Sequence, residues 1–272
     1  MALRSTLRAF PTLFRVGMAE AVAYRAEMLV WVLATTMPFV SLALWTAVSS
    51  VAPVVSQGGR SWAPKDFVAY FLCAFIVRQL ISAWACWEIN FEVRQGTLSM
   101  RLLRPLHPLI WYAVSNLSFA PLRVLVTLPV VAGLLLSEAN ASLSRDGRIW
   151  GVWLFSIAGG WMVNFFANVA IGSLCLYFES SIKLMDVWLA SFFVFSGYLF
   201  PFDLFPPWLR VVAQWLPFRF QMGLSIELMT GAHTFEQALP LLGQQWMWAG
   251  ALAVLAVVLW NRGVKRFQAF GG

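Results

Sequence analysis

Residues 66–108 read DFVAYFLCAFIVRQLISAWACWEINFEVRQGTLSMRLLRPLHP. The first part, residues 66–87, is apolar and long enough to cross a bilayer, which takes about 20 residues in a helix. The second part, residues 88–108, carries two acids and three arginines, and another apolar run follows at 110–136. Two apolar runs around a short charged segment predict two membrane spans joined by a helical connection at the membrane surface.

The rest of the chain repeats this alternation of apolar runs and short polar connections. Of 272 residues, 60% are hydrophobic and 11% are charged, whereas about 25% of the residues of soluble domains are charged. We predict an all-α integral membrane protein with six spans, because no polar alternation indicates a β-barrel. The predicted spans are roughly 27–50, 66–87, 110–136, 150–176, 184–201 and 241–261.

The basic residues are divided unequally between the two sides of the predicted membrane domain. The side with both termini carries eleven Lys and Arg residues, and the other side carries six. Because cytoplasmic loops are enriched in Lys and Arg, both termini are predicted to be cytoplasmic. Nucleic-acid binding is excluded as the cause of the net charge of +7, since no basic domain exists apart from the spans. The eleven residues are Arg4, Arg8, Arg15, Arg25, Arg94, Arg101, Arg104, Lys183, Arg262, Lys265 and Arg266.

Residues 1–25 carry an amphipathic pattern ahead of the first span. Apolar residues recur at three- and four-residue steps, and arginines cluster about a third of a turn away. Such a helix lies in the headgroup plane beside anionic lipids, and Pro11 is expected to break it into two pieces or kink it. The pattern fits both a generic interfacial anchor and a helix with a mechanical role, and the residues alone do not choose between them. The pattern consists of Leu3, Leu7, Phe10, Phe14, Arg4, Arg8 and Arg15.

The charged segment would have two different faces on a helix. Gly96 weakens this helix and Arg104-Pro105 ends it. One interpretation is a helix on which a partner pushes, because moving it would move both neighbouring spans. The other is a solvated connector without a mechanical role. The residues alone leave both interpretations open. The polar face would be Glu88, Glu92, Gln95 and Ser99, and the apolar face Trp87, Phe91 and Leu98.

A proline-rich segment before the last span is too short and too broken to cross a membrane. It fits a re-entrant or interfacial helix on the outer side, where irregular backbone survives only beside protein or a water-filled cavity. A helix lying flat in the aromatic belt is the alternative. Its defining residues are Pro201, Pro206, Pro207, Trp208, Trp215 and Pro217.

Two arginines, Arg78 and Arg123, fall inside predicted spans. A charge at mid-bilayer costs about 2.5–3.5 kcal/mol on insertion scales, so each must reach the surface, line a cavity or find a partner. Glu88, Glu179 and Asp186 are possible partners. Arg123 lies closer to mid-span and is the better functional candidate, although an ion pair or a snorkelling side chain is favoured for both.

No arrangement of side chains predicts catalysis or a metal site. The chain has no GxxxxGK[ST] loop for nucleotide phosphates, and no Ser-His, paired-Asp or HExxH arrangement within the spans. Cys73, Cys86 and Cys175 lack metal-ligand spacing and are interpreted as small apolar fillers. His107 and His233 fall on predicted opposite sides. We therefore predict that the chain is not an enzyme, and the substrate-binding residues stay unassigned.

The whole pattern resembles the permease subunits of bacterial ABC-2-type exporters, within the ABC-2-like group with six spans. Local sequence adds to the resemblance at Tyr24-Arg25-Ala26-Glu27, at Gly96-Thr97-Leu98-Ser99, at Leu103-Arg104-Pro105-Leu106 and at the C-terminal Phe-Gln-Ala-Phe-Gly-Gly. The resemblance covers nearly the whole chain, so it implies a single transmembrane domain over residues 1–272. It also implies a location in the bacterial plasma membrane.

The resemblance assigns roles to three segments. Residues 1–25 would be an interfacial helix, residues 88–108 a coupling loop that docks on a separate ATPase, and residues 202–230 outer re-entrant helices that close the exit. The residues expected to contact the ATPase are Glu88, Glu92, Arg94, Arg101 and Arg104.

The resemblance also implies the partners and the mechanism. Two P-loop ATPase subunits would carry ATP and Mg, so this chain would need no cofactor, and a second permease, identical or homologous, would complete the membrane domain among the lipids. Motion of the coupling helices would produce alternating access and export. A non-ATP channel or secondary carrier, and a scaffold without transport, are the alternative functions.

Overall fold

The computed structural model describes residues 2–23, 30 and 35–267, and most of these residues are helical. A small antiparallel ribbon pairs β1 (Val54–Val55) with β2 (Ser61–Trp62). The α-helices are α1 (Ala2–Ala23), α2 (Met37–Val51), α3 (Pro64–Leu80), α4 (Ala85–Arg94), α5 (Leu98–Leu102), α6 (Pro108–Ser118), α7 (Ala120–Leu136), α8 (Gly147–Ser173), α9 (Ile182–Phe195), α10 (Pro207–Ala213), α11 (Leu224–Met229) and α12 (Phe235–Val264). Shorter turns are the 3-10 helices Glu138–Ser142, Leu174–Leu176 and Phe202–Leu204 and the π-helix Arg219–Gly223.

Four helical stretches in the described part of the chain are long and apolar enough to cross a membrane, which confirms the all-helical membrane class. They are Pro64–Arg94, Pro108–Leu136, Gly147–Leu176 and Phe235–Val264. The predicted count of six stays a prediction. The first half of the first predicted span lies mostly outside the described residues, and α2 forms its second half. The fifth is represented by α9, whose 14 residues reach only about 21 Å.

The N-terminal helix α1 is continuous through Pro11, so the expected division into two pieces is wrong. A proline removes one backbone hydrogen bond, and the turns on either side of it suffice to continue the helix. Gly17 lets α1 approach α6 closely, since a Cβ at Gly17 would clash with the Ser118 side chain. Arg25 lies outside the described residues, as do the side chains of Arg4 and Arg8.

The polar connections gather at two ends of the helical bundle. At one end, the α4–α5 turn, residues 177–182 and the end of α12 lie together. Asn90 Nδ2 donates to Ser181 Oγ (2.8 Å), and Tyr177 Oη donates to the Leu259 carbonyl (2.9 Å). At the opposite end, Ser142 Oγ donates to Asp66 Oδ1 (2.6 Å), which joins two further connections. Pro201 and Asp203 line a cavity at this second end with Trp62 of β2, so the charged segment and the proline-rich segment lie at opposite ends of the bundle.

Candidate functional site

The charged segment is organised around the carboxylate of Glu92. Gly96 adopts a left-handed conformation (φ 72°) and reverses the chain between α4 and α5, which a residue with a Cβ rarely allows. Because of this reversal, Arg101 forms a two-pronged ion pair with Glu92, in which Nε donates to Oε2 at 2.7 Å. Tyr112 Oη at the start of α6 donates to the same carboxylate at 2.6 Å. We call these three residues the Glu92 clamp.

Aromatic rings of α6 complete the attachment of the loop. The Arg101 guanidinium carbon lies 4.9 Å from the centre of the Trp111 ring, and that of Arg104 lies 5.8 Å from it. Arginine over an aromatic face is an attractive cation–π arrangement. The clamp and these contacts make α4, α5 and the start of α6 one mechanical unit, because displacing α5 breaks the charged hydrogen bonds of Arg101 to Glu92 and its cation–π contact with Trp111.

The structure corrects the single helix expected for this segment. Leu98 is fully buried, whereas Phe91 is 63% exposed, so they do not share an apolar face. Ser99 Oγ donates back to the Gly96 carbonyl (2.7 Å) and belongs to the turn. Both predicted faces assumed one continuous helix. They are wrong because the chain reverses at Gly96, so the residues before and after it belong to two different helices.

The five residues predicted to contact an ATPase therefore separate into two groups. Arg94 and Arg104 are exposed, whereas Glu92 and Arg101 are mostly enclosed in the clamp and Glu88 is half-buried. The exposed surface also contains large apolar side chains that the sequence did not single out. These are Phe91, Met100 and Leu103, of which Leu103 is 86% exposed. We call Phe91, Arg94, Met100, Leu103 and Arg104 the loop surface.

The two arginines within the spans meet at an interruption of the first long span. Arg123 is 3% exposed, its Nη1 donates to the Ser82 carbonyl at 2.8 Å, and its guanidinium stacks 4.2 Å from the Trp84 ring centre. Arg78 Nη1 lies 3.4 Å from Ser82 Oγ. The carboxylate partners considered from the sequence are wrong within the described residues. Neither arginine pairs with Glu88 or Glu179, and Asp186 pairs with Lys183 (3.6 Å).

The proline-rich segment contains the predicted short helix. Pro201 precedes a 3-10 turn, Pro207 begins α10 and Pro217 lies just before the π-helix, so the prolines punctuate the chain as expected. Trp208 and Trp215 are 69% and 66% exposed and give this segment an apolar outer surface. The re-entrant character of the segment stays a prediction.

A buried ionic cluster beneath this segment was not found from the sequence. Glu227 accepts from Arg219 Nη2 at 2.7 Å and lies 2.6 Å from His233 Nε2. Burial alone would raise the pKa of Glu227, but Arg219 and His233 together hold it well below its usual range. The cluster lines a cavity of about 220 Å³ with Tyr70 and Arg210. An Arg and a Glu eight residues apart lie more than two turns apart on a regular helix, so their pairing carries no sequence signal. Arg219 lies in the π-helix and Glu227 in α11, which follows it.

The sequence matches the model of a family described as "ABC-2 family transporter protein" over residues 35–271. The chain belongs to this family. No individually curated protein matches it significantly. As an ABC-2 protein the chain is a multi-pass membrane permease subunit rather than an enzyme, and the match includes the loop, the interrupted span and the proline-rich segment. In this ABC-2 permease, the described residues contain no group of His, Cys, Asp and Glu that would hold a metal ion.

Proposed function

We propose that the chain is the membrane-spanning permease of an ATP-driven exporter in the bacterial plasma membrane, with both termini in the cytoplasm. The observation that carries this proposal is the Glu92 clamp. A loop that transmits force needs to be rigid within itself and fixed to the spans that it moves. Glu92 lies on the helix that continues the first long span, and Tyr112 lies on the next span, so the clamp meets both conditions.

The loop surface provides the docking face for the ATPase. Phe91, Met100 and Leu103 offer apolar area, and Arg94 and Arg104 flank it with positive charge. Interfaces combine an apolar centre with a polar rim, and charge at the rim steers encounter. We therefore expect a hydrophobic pocket with an acidic edge on the ATPase. The polar, mostly enclosed Glu92 and Arg101 act behind this face rather than in it.

ATP and Mg are carried by two copies of the partner ATPase, and a second permease, identical or homologous, completes the membrane domain. Closure of the ATPase dimer would push on the loop surfaces of both permeases. Because the clamp ties α4 and α5 to α6, the push reaches the two spans on either side of the loop together. The change of access between the two membrane sides follows from that tilt. The segment around residues 202–230 would close the outer exit.

Site-specific crosslinking tests the docking face. All three native cysteines are buried, so Leu103→Cys introduces an exposed thiol at the loop surface. Leu136→Cys is the matched control, because Leu136 is 88% exposed at the opposite end of the bundle. We expect a bifunctional thiol–amine crosslinker in intact cells to join the Leu103→Cys variant to a P-loop ATPase and to leave Leu136→Cys free of it. No ATPase adduct at residue 103, or equal adducts at both positions, would overturn the proposal.

A further inference from the structure

The first long span is interrupted within the membrane domain. Residues 81–84 are not helical, between α3 and α4 of the 31-residue stretch Pro64–Arg94. Irregular backbone at membrane depth requires partners for its polar groups. Three asparagines supply them: Asn164 donates to the Ile81 carbonyl (2.8 Å), Asn116 accepts from the Trp84 N–H (2.9 Å), and Asn168 accepts from the Cys86 N–H (3.4 Å). The interruption is a polar centre inside an apolar bundle.

Two guanidinium groups converge on this centre. Arg123 and Arg78 both lie within hydrogen-bond distance of Ser82, one on its carbonyl and one on its hydroxyl. None of the ion pairs formed within the described residues includes Arg78 or Arg123. Within the described residues, the two guanidinium groups therefore give this polar centre a charge close to +2.

The Arg123 side chain has binding capacity that the fold does not use. Only 3% of Arg123 is exposed, and its Nη2 is enclosed without a hydrogen-bond partner. Holding the interrupted backbone explains only the bond from Nη1 to Ser82. The three asparagines do the same work at the same place without a charge, whereas a buried charge is expensive in the membrane. A purely structural role therefore leaves the two positive charges unexplained.

We propose that Arg78 and Arg123 form an intramembrane binding site for an anionic oxygen group, such as a phosphate or carboxylate, on an amphipathic cargo. Guanidinium groups bind such groups through two parallel N–H donors. Arg78 is partly exposed and would provide the approach, whereas Arg123 is buried and contacts the Ser82 carbonyl. The aromatic rings of Trp84, Phe119 and Phe192 surround the site and suit the apolar part of the cargo. This inference deepens the proposed function by naming a substrate class.

A binding measurement on the full chain in phosphatidylcholine nanodiscs, with and without its ATPase, tests the site. The probe is a fluorescent phosphatidic acid, compared with the diacylglycerol that carries the same chains. We expect the phosphatidic acid to bind preferentially. Arg123→Gln and Arg78→Gln should each weaken binding about tenfold or more, and Arg123→Lys should retain part of it. Arg148→Gln removes an exposed arginine near the opposite end of the bundle and should leave binding unchanged.

The outcomes separate the sources of the anion and the possible failures. Displacement of the probe by inorganic phosphate, at a concentration where chloride does not displace it, assigns the site to free oxyanions as well. Equal binding of diacylglycerol, or equal loss in Arg148→Gln, overturns the proposal. The crosslinking of Leu103→Cys to the ATPase is a separate measurement. Its failure would reject the proposed exporter function and would leave the proposed binding site untouched.

Discussion

Glu92 and Arg101 face each other across the turn at Gly96, nine residues apart in sequence, and are 12% and 18% exposed. The pair is partly shielded from water, and Tyr112 adds a third hydrogen bond to the same carboxylate. A surface ion pair contributes about 0–1 kcal/mol. Removing one partner of a partly enclosed pair costs more than that, because the remaining charge is left shielded from water and unpaired. The relationship matters because it converts two short helices and the start of a span into one body.

Breaking the clamp should uncouple transport. Glu92→Lys places two positive charges together, so we expect several-fold lower substrate-linked ATP hydrolysis in proteoliposomes, with normal membrane insertion. The double variant Glu92→Lys/Arg101→Glu restores an opposite-charge pair and should recover part of the coupling. Wild-type coupling in Glu92→Lys would reject the clamp as a transmitting element.

The turn between α4 and α5 should depend on glycine for backbone reasons alone. Nothing lies within 4 Å of a Cβ placed on Gly96, so Gly96→Ala causes no clash, but the left-handed conformation costs about 1–2 kcal/mol for a residue with a Cβ. We expect a lower melting temperature and weaker coupling. Gly133→Ala is the control, because Gly133 is helical and equally open. It should be neutral or stabilising by about 0.5–1 kcal/mol. Equal effects of both changes would contradict the explanation.

The charge on the loop surface should act through electrostatic steering. Arg94→Glu should weaken association with the ATPase a few-fold at low salt, and the loss should shrink as salt is raised, because exposed charges are screened. Arg262→Glu changes an exposed arginine at the same end but outside the loop surface. The measurement is the rate at which the ATPase associates with surface-immobilised permease, for both variants at two ionic strengths. A salt-independent loss in Arg94→Glu would show that folding, not steering, is affected.

The buried cluster should make stability depend on pH in one direction. Since Arg219 and His233 lower the pKa of Glu227, its contribution is fully present above the ordinary value of about 4.5 and is lost as the pH falls through the lowered pKa. Glu227→Gln leaves Arg219 without its partner and should cost about 3 kcal/mol at pH 7. The difference in melting temperature from wild type should shrink below pH 4.5. Glu236→Gln, at an exposed position, should show no such convergence.

Several elements could be predicted from local sequence because their cause is local. Four of the predicted spans follow from apolar runs longer than a bilayer is thick, and α10 follows from Pro207 at its first turn and Trp208 in its apolar stripe. The interruption at residues 81–84 could not be predicted. Its sequence is as apolar as its surroundings, and the partners of its backbone lie on other helices.

The amino-acid sequence by itself determined that this protein is helical and membrane-embedded, where its polar connections lie, and that the 88–108 segment is charged. These properties depend on composition and on residues near one another in the chain. Only the tertiary structure decided that Glu92 binds Arg101 and Tyr112, that Leu103 is exposed, and that Arg78 and Arg123 meet at Ser82. The physical reason is that charge pairing and burial are set by which helices pack together, and a single left-handed residue such as Gly96 redirects both.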